Sequence, residues 1–388
     1  MRVAVFGAAG QLGRELVRAF SGSHAVSAFT RGDCDVADFE AVMAACLATG
    51  PELILNASAM TTVDACEKDV DTAFAINAMG PRNLALAANH LGATLVHIST
   101  DYVFDGTADR PYDEWDRPNP ISVYGRSKLG GERDVLDLAD RSYVVRTGVV
   151  FSTKAPNFAL AILDRGGSGD EALAVVADQI GSPTYAPHLA AGIKALVLTG
   201  RYGLYHAAGA GACSRSDMAR VLLEAAGHDP ARVQDVTSDV MAEAYPAPRP
   251  KMAALECRAW RLAGLEPLPP AQDAVAALVA ELGLPSLPPN VAPAPEPAAA
   301  APEPDPVSPP PPASAPASAA APAGTDDAAT SLTPLDLDVR GTDAAAPDAA
   351  PVPEPESAAP PAPQASVHVI DASAADLGAG GTREGSEP

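Results

Sequence analysis

Short apolar runs alternate with helically spaced segments through the first 150 residues. Residues 2–6 (RVAVF) have the continuous apolar character of a strand buried on both faces, and GAAGQLGRELVRAF then shifts to a helical period. The chain therefore opens with strand, turn and helix. The same alternation predicts a strand at 24–30, a helix at 39–49, a strand at 52–56 and a helix from about 71 to 90. A strand at 94–99, a helix over 124–138 and a strand at 142–147 follow. Strands joined through helices pair in parallel, so the order predicts an α/β fold built on a doubly wound parallel sheet, with its ligand crevice at the carboxyl ends of the strands.

Beyond residue 150 the pattern loosens into a helix at 157–165, a strand at 173–177, a helix at 187–199, the segment GLYHAAG and a helix at 216–226. Helices at 252–263 and 272–282 close this half. It reads as a smaller mixed lobe. The expected organisation is a dinucleotide-binding domain at 1–150, a substrate-binding lobe at 151–285 with segments returning to the first domain, and a tail at 286–388. The tail consists largely of Pro, Ala, Ser, Asp and Glu, too poor in long apolar residues to offset its ordering entropy, and is read as disordered. Two apolar islands within it, LTPLDLDV at 332–339 and SVHVIDA at 366–372, are candidate docking segments for a partner that the sequence does not name. No internal repeat is visible.

Charge narrows the partners. The chain carries a formal −23, of which the tail contributes thirteen charges, with Arg340 and Arg383 as its only bases. An acidic body with a more acidic tail argues against nucleic acid, whose phosphates require clustered Lys and Arg. Five cysteines without a CxxC pair (Cys34, Cys46, Cys66, Cys213 and Cys257) fit reduced thiols better than a disulfide frame or a zinc site. No run of about eighteen apolar residues exists, so no membrane partner and a cytoplasmic location are expected.

The candidate chemistry lies at the strand ends. Gly7, Gly10 and Gly13 occupy the first strand-to-helix junction, where glycine permits a tight turn and close approach to a pyrophosphate, as in a Rossmann-like nucleotide site. After the second strand, where a ribose-binding acid is expected, the chain reads Phe29-Thr30-Arg31. A guanidinium there can grip a 2′-phosphate and favours NADPH, with NADH as the alternative; an exposed turn arginine is the ordinary reading. Asp35 and Val36 are expected to flank the adenine. Tyr124 and Lys128 stand four apart on one helix face, where an ammonium can stabilise a phenolate, though such a pair also suits an exposed face. Thr100, at the end of the strand TLVHIS, can supply a second hydroxyl to the same carbonyl, or simply form a turn. Asn56, Thr61 and Asp64 are expected to face the same crevice, with a loop cap as the alternative for Asn56. His97 reads as a core histidine, and neither it nor His188 or His206 is assigned to catalysis.

Taken together, GAAGQLGREL at 7–16, NASAMTTVDACE at 56–67, STDYVFDG at 99–106, PNPISVYGRSKLGGE at 118–132, VVRTGVVF at 144–151 and ADQIGSPT at 177–184 resemble the dTDP-4-dehydrorhamnose reductases of the extended short-chain dehydrogenase/reductase superfamily. The resemblance spans about residues 1–285. It implies NADPH-linked reduction of a 4-keto group, giving dTDP-L-rhamnose for polysaccharide. It places Gly10, Gln11, Leu12, Asp35, Val36, Ala59, Met60 and Thr61 at the cofactor and Thr100 and Asp101 at the sugar. Tyr124 becomes the proton donor, and Lys128 holds the nicotinamide ribose. Val149 stands at the sugar where the family often has tryptophan, and Arg249–Leu255 departs from the family's more polar segment. Some members form a homodimer bridged by a metal such as magnesium; Glu15 and Glu281 are candidate carboxylates, with His188 near the place of a third, and no metal ligand is assigned. The alternatives are another NDP-sugar reductase or epimerase, or a non-catalytic regulatory subunit similar to the beta subunit of methionine adenosyltransferase. Dehydratases of the superfamily carry an acid where Tyr102 follows Asp101 here.

Overall fold

The computed structural model describes residues 1–169 and 171–284, together with the backbone of 368–370. In chain order the first half forms β1 (Arg2–Phe6), α1 (Gln11–Ser21), β2 (Ala25–Phe29), α2 (Phe39–Thr49), β3 (Leu53–Asn56), α3 (Val63–Lys68), α4 (Val70–Phe74), α5 (Gly80–Leu91), β4 (Thr94–Thr100), α6 (Val123–Leu138) and β5 (Ser142–Thr147). The second half forms β6 (Val150–Phe151), α7 (Phe158–Gly167), β7 (Leu173–Val176), β8 (Ile180–Gly181), β9 (Thr184–Tyr185), α8 (Ala186–Thr199), β10 (Gly203–His206), β11 (Cys213–Ser214), α9 (Arg215–Ala225), β12 (Val233–Val236), α10 (Arg258–Leu262) and α11 (Ala271–Glu281). A short strand, β13 (His368–Ile370), comes from the tail.

Six strands pair in parallel in the order β10-β5-β4-β3-β1-β2, the doubly wound sheet that the alternation predicts. The apolar runs of β1, β3 and β5 are buried on both faces, because helices cover both, while the edge strand β2 is only partly covered. On one face Leu12, Leu16 and Phe20 of α1 pack with Leu189, Ile193 and Leu196 of α8; on the other, Val42 of α2, Leu84 of α5 and Val135 of α6 form a second core. Thus α8 and β10, though late in the chain, complete the main sheet and its cover. The smaller lobe has its own core, with Phe158, Ile162, Leu222, Val275 and Leu278 packed around the sheet β12-β7-β13.

Three expectations need correction. The helix expected from about 71 to 90 is interrupted: α4 passes through a π-helical turn, Ala75–Met79, before α5 resumes. Pro81 has no N–H to donate to the carbonyl of Asn77 four residues back, and its ring crowds that carbonyl, so the turn widens. The helix expected at 252–263 forms only as α10. Residues 252–255 run extended instead, bridging Ile180 through Met252 and Tyr112 through Leu255, so their backbone groups are already paired across the lobes. In the tail, read as disordered, 368–370 form a parallel strand beside β7, a place suited to the β-branched pair Val369-Ile370. The remaining tail residues, including the island at 332–339, lie outside the described residues.

Candidate active site

The sheet order changes direction between β1 and β3, which opens a crevice above their carboxyl ends. Gly7 sits there with φ +78°, and a Cβ on it would lie 2.5 Å from the Ser58 nitrogen, so both conformation and space demand glycine. Gly13 keeps α1 against the loop, since its Cβ would fall 2.1 Å from the Gly7 carbonyl oxygen. It lines neither pocket at the site, and its close approach packs the start of α1 against the loop. Gly10 is the N-cap of α1, whose first turn has no acidic residue, leaving the positive end of the helix open to an anion. A pocket of about 340 Å³ is lined by Gly7, Gly10, Arg31, Asp35, Val36, Ala59 and Met60. Arg31 and Asp35 are exposed at its rim, and Val36 is buried below. Gln11, Leu12 and Thr61 line the adjoining cleft instead.

That second cleft, about 410 Å³, brings together Thr100, Asp101, Tyr124, Lys128 and Val149. β4 delivers Thr100 at its end, and Ser122 caps α6 through the Gly125 nitrogen, starting the helix one residue before Tyr124. Thr100 Oγ1 donates to Asp101 Oδ1 at 2.9 Å and accepts from the Tyr102 nitrogen at 3.2 Å. Burial, followed by the Asp101 charge, raises the Tyr124 pKa, while its hydrogen bond with Thr100 opposes this. Burial pushes the Asp101 carboxyl up to about 7 against the Thr100 hydrogen bond and the Arg215 charge, and its buried Oδ2 lacks a hydrogen-bond partner among the described residues. A Cβ on Gly148 would lie 2.5 Å from that oxygen, so glycine makes room for the carboxyl. Next to it Val149 has φ +43°, a strained conformation for a β-branched residue.

Lys128 differs from expectation in one respect. Its Nζ donates to the Ile98 carbonyl at 2.6 Å and lies 3.4 Å from His97 Nε2, rather than bonding the Tyr124 hydroxyl. The helix spacing puts Tyr124 and Lys128 on one face, but the longer lysine side chain reaches past the phenol to the strand. Burial draws its pKa down to about 8, opposed by Glu132.

A buried polar frame supports this cleft. Arg146 of β5 grips Glu132 of α6 with bonds of 2.8 and 2.7 Å, and Ser99 of β4 donates to the same carboxylate at 2.5 Å. Asp64, expected to face the crevice, is instead buried in an ion pair with Arg249 at 2.6 Å and accepts from the Ala247 nitrogen. Asn56 is also fully buried below the crevice, where its Oδ1 caps the loop by accepting from the Ser58 nitrogen and hydroxyl. The sequence reading missed Gly148, Arg215, Arg249 and Glu132. Arg146 was a legible signal, because a charge inside the all-buried strand SYVVRT requires a buried partner. Arg215 had none: it reaches the cleft from α9 only through the tertiary fold. The candidate metal carboxylates are otherwise engaged. Glu15 pairs with Arg18 at 2.7 Å and Glu281 with Lys154 at 2.8 Å, and no group of three ligands suited to a metal occurs among the described residues.

A helix terminus open to phosphates beside a cleft holding a half-buried tyrosine suits hydride exchange with a nicotinamide on this fold, and the molecule is an oxidoreductase of the extended short-chain dehydrogenase/reductase class. Its glycine cradle, open helix end and rim arginine fit NADP. The chain belongs to the RmlD substrate binding domain family, whose sequence profile matches residues 1–284. Over 298 residues it is 43% identical to the dTDP-4-dehydrorhamnose reductase of Mycolicibacterium smegmatis, covering 74% of this chain and 90% of that protein. A dTDP-4-keto-6-deoxy-D-glucose reductase of Streptomyces niveus is 41% identical over 266 residues, 68% of this chain and 91% of the other. Among solved structures, a dTDP-4-dehydrorhamnose reductase of Bacillus anthracis in complex with NADP superposes with a TM-score of 0.70 at 35% identity, covering 72% of this chain and 99% of that one. No helix among the described residues is long and apolar enough to cross a membrane.

Proposed function

We propose that the protein reduces the 4-keto group of dTDP-4-dehydro-L-rhamnose to dTDP-L-rhamnose, with NADPH as the reductant. The observation that carries this reading is the convergence of Thr100, Tyr124 and Lys128 in one cleft continuous with the glycine cradle. NADPH supplies the hydride when bound. The residues do the rest. The open N-terminus of α1 receives the pyrophosphate, Arg31 at the rim takes the 2′-phosphate, and Lys128 holds the nicotinamide ribose. Tyr124 gives its proton to the oxygen on which charge develops, and its raised pKa keeps that proton in place until then. Thr100, bonded to the Asp101 carboxyl, lines the cleft with Tyr124 and offers a second hydroxyl to the same carbonyl. Arg215 and Asp101 line the sugar end, where Arg215 is placed to meet the diphosphate.

A second reading, a different 4-keto sugar nucleotide, is favoured by Val149, which offers the sugar no aromatic face. The test mixes purified protein and NADPH with enzymatically generated dTDP-4-dehydrorhamnose, or with dTDP-4-keto-6-deoxy-D-glucose, and follows loss of reduced nicotinamide by absorbance. A higher kcat/KM for the first substrate is expected. A higher value for the second transfers the assignment to that sugar, and no oxidation with either, while NADPH still binds, refutes the reductase reading.

A further inference from the structure

Beneath the cleft, Ser58, Asn56, His97 and Lys128 form one hydrogen-bonded line, the last three of them buried. Asn56 of β3 and His97 of β4 are register partners, both fully buried, and Asn56 Nδ2 lies 3.1 Å from His97 Nδ1. His97 Nε2 lies 3.4 Å from Lys128 Nζ. The direction of the line is set at its far end. A backbone N–H can only donate, so Ser58 N at 3.1 Å fixes the facing Asn56 atom as Oδ1 and turns Nδ2 toward the imidazole. Nδ2 must donate, so His97 Nδ1 accepts, and the single proton of a neutral ring lies on Nε2, aimed at Lys128. Burial and the Lys128 cation hold the His97 pKa well below its ordinary value, so the ring is neutral.

We propose that His97 is a positioning residue which sets the protonation of Lys128, its imidazole held in the Nε2–H tautomer by Ser58 and Asn56. An N–H aimed at Nζ favours the free amine and opposes the ammonium. Two groups act the other way: the Ile98 carbonyl of β4 accepts from Nζ at 2.6 Å, and Glu132 of its own helix, though paired with Arg146 of β5, favours the ammonium, so the imidazole N–H offsets them rather than acting alone. The Asp101 carboxyl lies on the far side of the cleft hydroxyls, bonded to Thr100. Burial by itself brings the Lys128 pKa down to about 8, close enough to neutrality for the imidazole N–H to bias its charge.

The effect on turnover rests on the reductase reading; the tautomer does not. Full-length protein with 15N-labelled histidine, examined by NMR without substrate, should show His97 as the Nε2–H tautomer, its signal identified by loss in His97→Phe. Asn56→Asp keeps the acceptor for Ser58 but replaces the donor facing His97 with a second acceptor, so the tautomer should switch to Nδ1–H. The alkaline limb of kcat/KM should then move up by about one pH unit. In a His97→Phe background Asn56→Asp should no longer move the limb. Nδ1–H in the wild-type protein overturns the proposal, as does an equal limb shift without His97, which would mark a direct charge effect. If Asn56→Asp does not fold, the wild-type tautomer alone decides. An Nε2–H tautomer in a protein that turns over neither sugar would leave the positioning intact and refute the reductase reading.

Discussion

Tyr124 keeps its proton because burial and the Asp101 carboxyl both disfavour the phenolate. Removing the hydroxyl takes away the donor without touching the cradle, so Tyr124→Phe should lower kcat by about 10²–10⁴-fold and leave the NADPH Kd from fluorescence titration unchanged. Arg31 stands exposed at the rim of the neighbouring pocket. Loss of a charge-assisted bond to the 2′-phosphate in Arg31→Ala should raise the KM for NADPH by about tenfold or more and spare that for NADH. Equal effects on both would show that Arg31 is only a surface residue. Asp101 yields a pH prediction. Its pKa of about 7 in the fold exceeds the ordinary 3.8, so its relative contribution to stability is full below about pH 4 and is lost as the pH rises through 7. Asp101→Asn cannot ionise, so its unfolding free energy should exceed that of the wild type by up to about 4 kcal/mol at pH 8. The gain should shrink toward zero at pH 4, as measured by urea unfolding at each pH. These residues were legible because each stands at a strand end or on a helix face beside it; the strain at Val149 and the orphaned Asp101 oxygen were not, since both arise from how the end of β5 meets β4.

At the level of elements, the cleft depends on how α6 is seated on the sheet. The pair Arg146–Glu132, with Ser99 on the same carboxylate, ties α6 to β4 and β5 one turn beyond Lys128. Both charges are buried, so removing one leaves the other without compensation. Glu132→Ala should therefore destabilise the fold by about 3–5 kcal/mol in urea unfolding. A loss below about 1 kcal/mol, the level of an exposed pair, would show that packing alone seats the helix. The π-turn before Pro81 has a similar effect on the neighbouring loop. It lets Asn77 accept from the Met60 nitrogen and donate to the Met60 carbonyl and the Ser127 hydroxyl, joining the cofactor loop to α6. Helical periodicity covers this segment without marking the break, because the extra residue in the turn changes backbone hydrogen bonding and not the apolar pattern.

For the whole molecule, the family profile ends at residue 284, where the residues lining the glycine cradle and the cleft are all present; beyond it, among the described residues, the tail adds only β13 at the edge of the mixed lobe's sheet. A chain truncated after Leu284 should retain the kcat/KM of the full-length protein; a marked fall would assign the tail a part in turnover. The sequence by itself determined the alternation of strands and helices, the parallel sheet, the glycine turn, and the placing of Thr100, Tyr124 and Lys128 at its carboxyl edge. These follow from local periodicity and from the short reach of strand-to-helix turns. Only the tertiary structure decided that β10 and α8 return to the main sheet, that Arg215 reaches the cleft, and that Lys128 bonds Ile98 and His97 rather than Tyr124. Those outcomes depend on which distant backbone and side-chain groups share a buried space, where every donor must find an acceptor, and no local pattern records that.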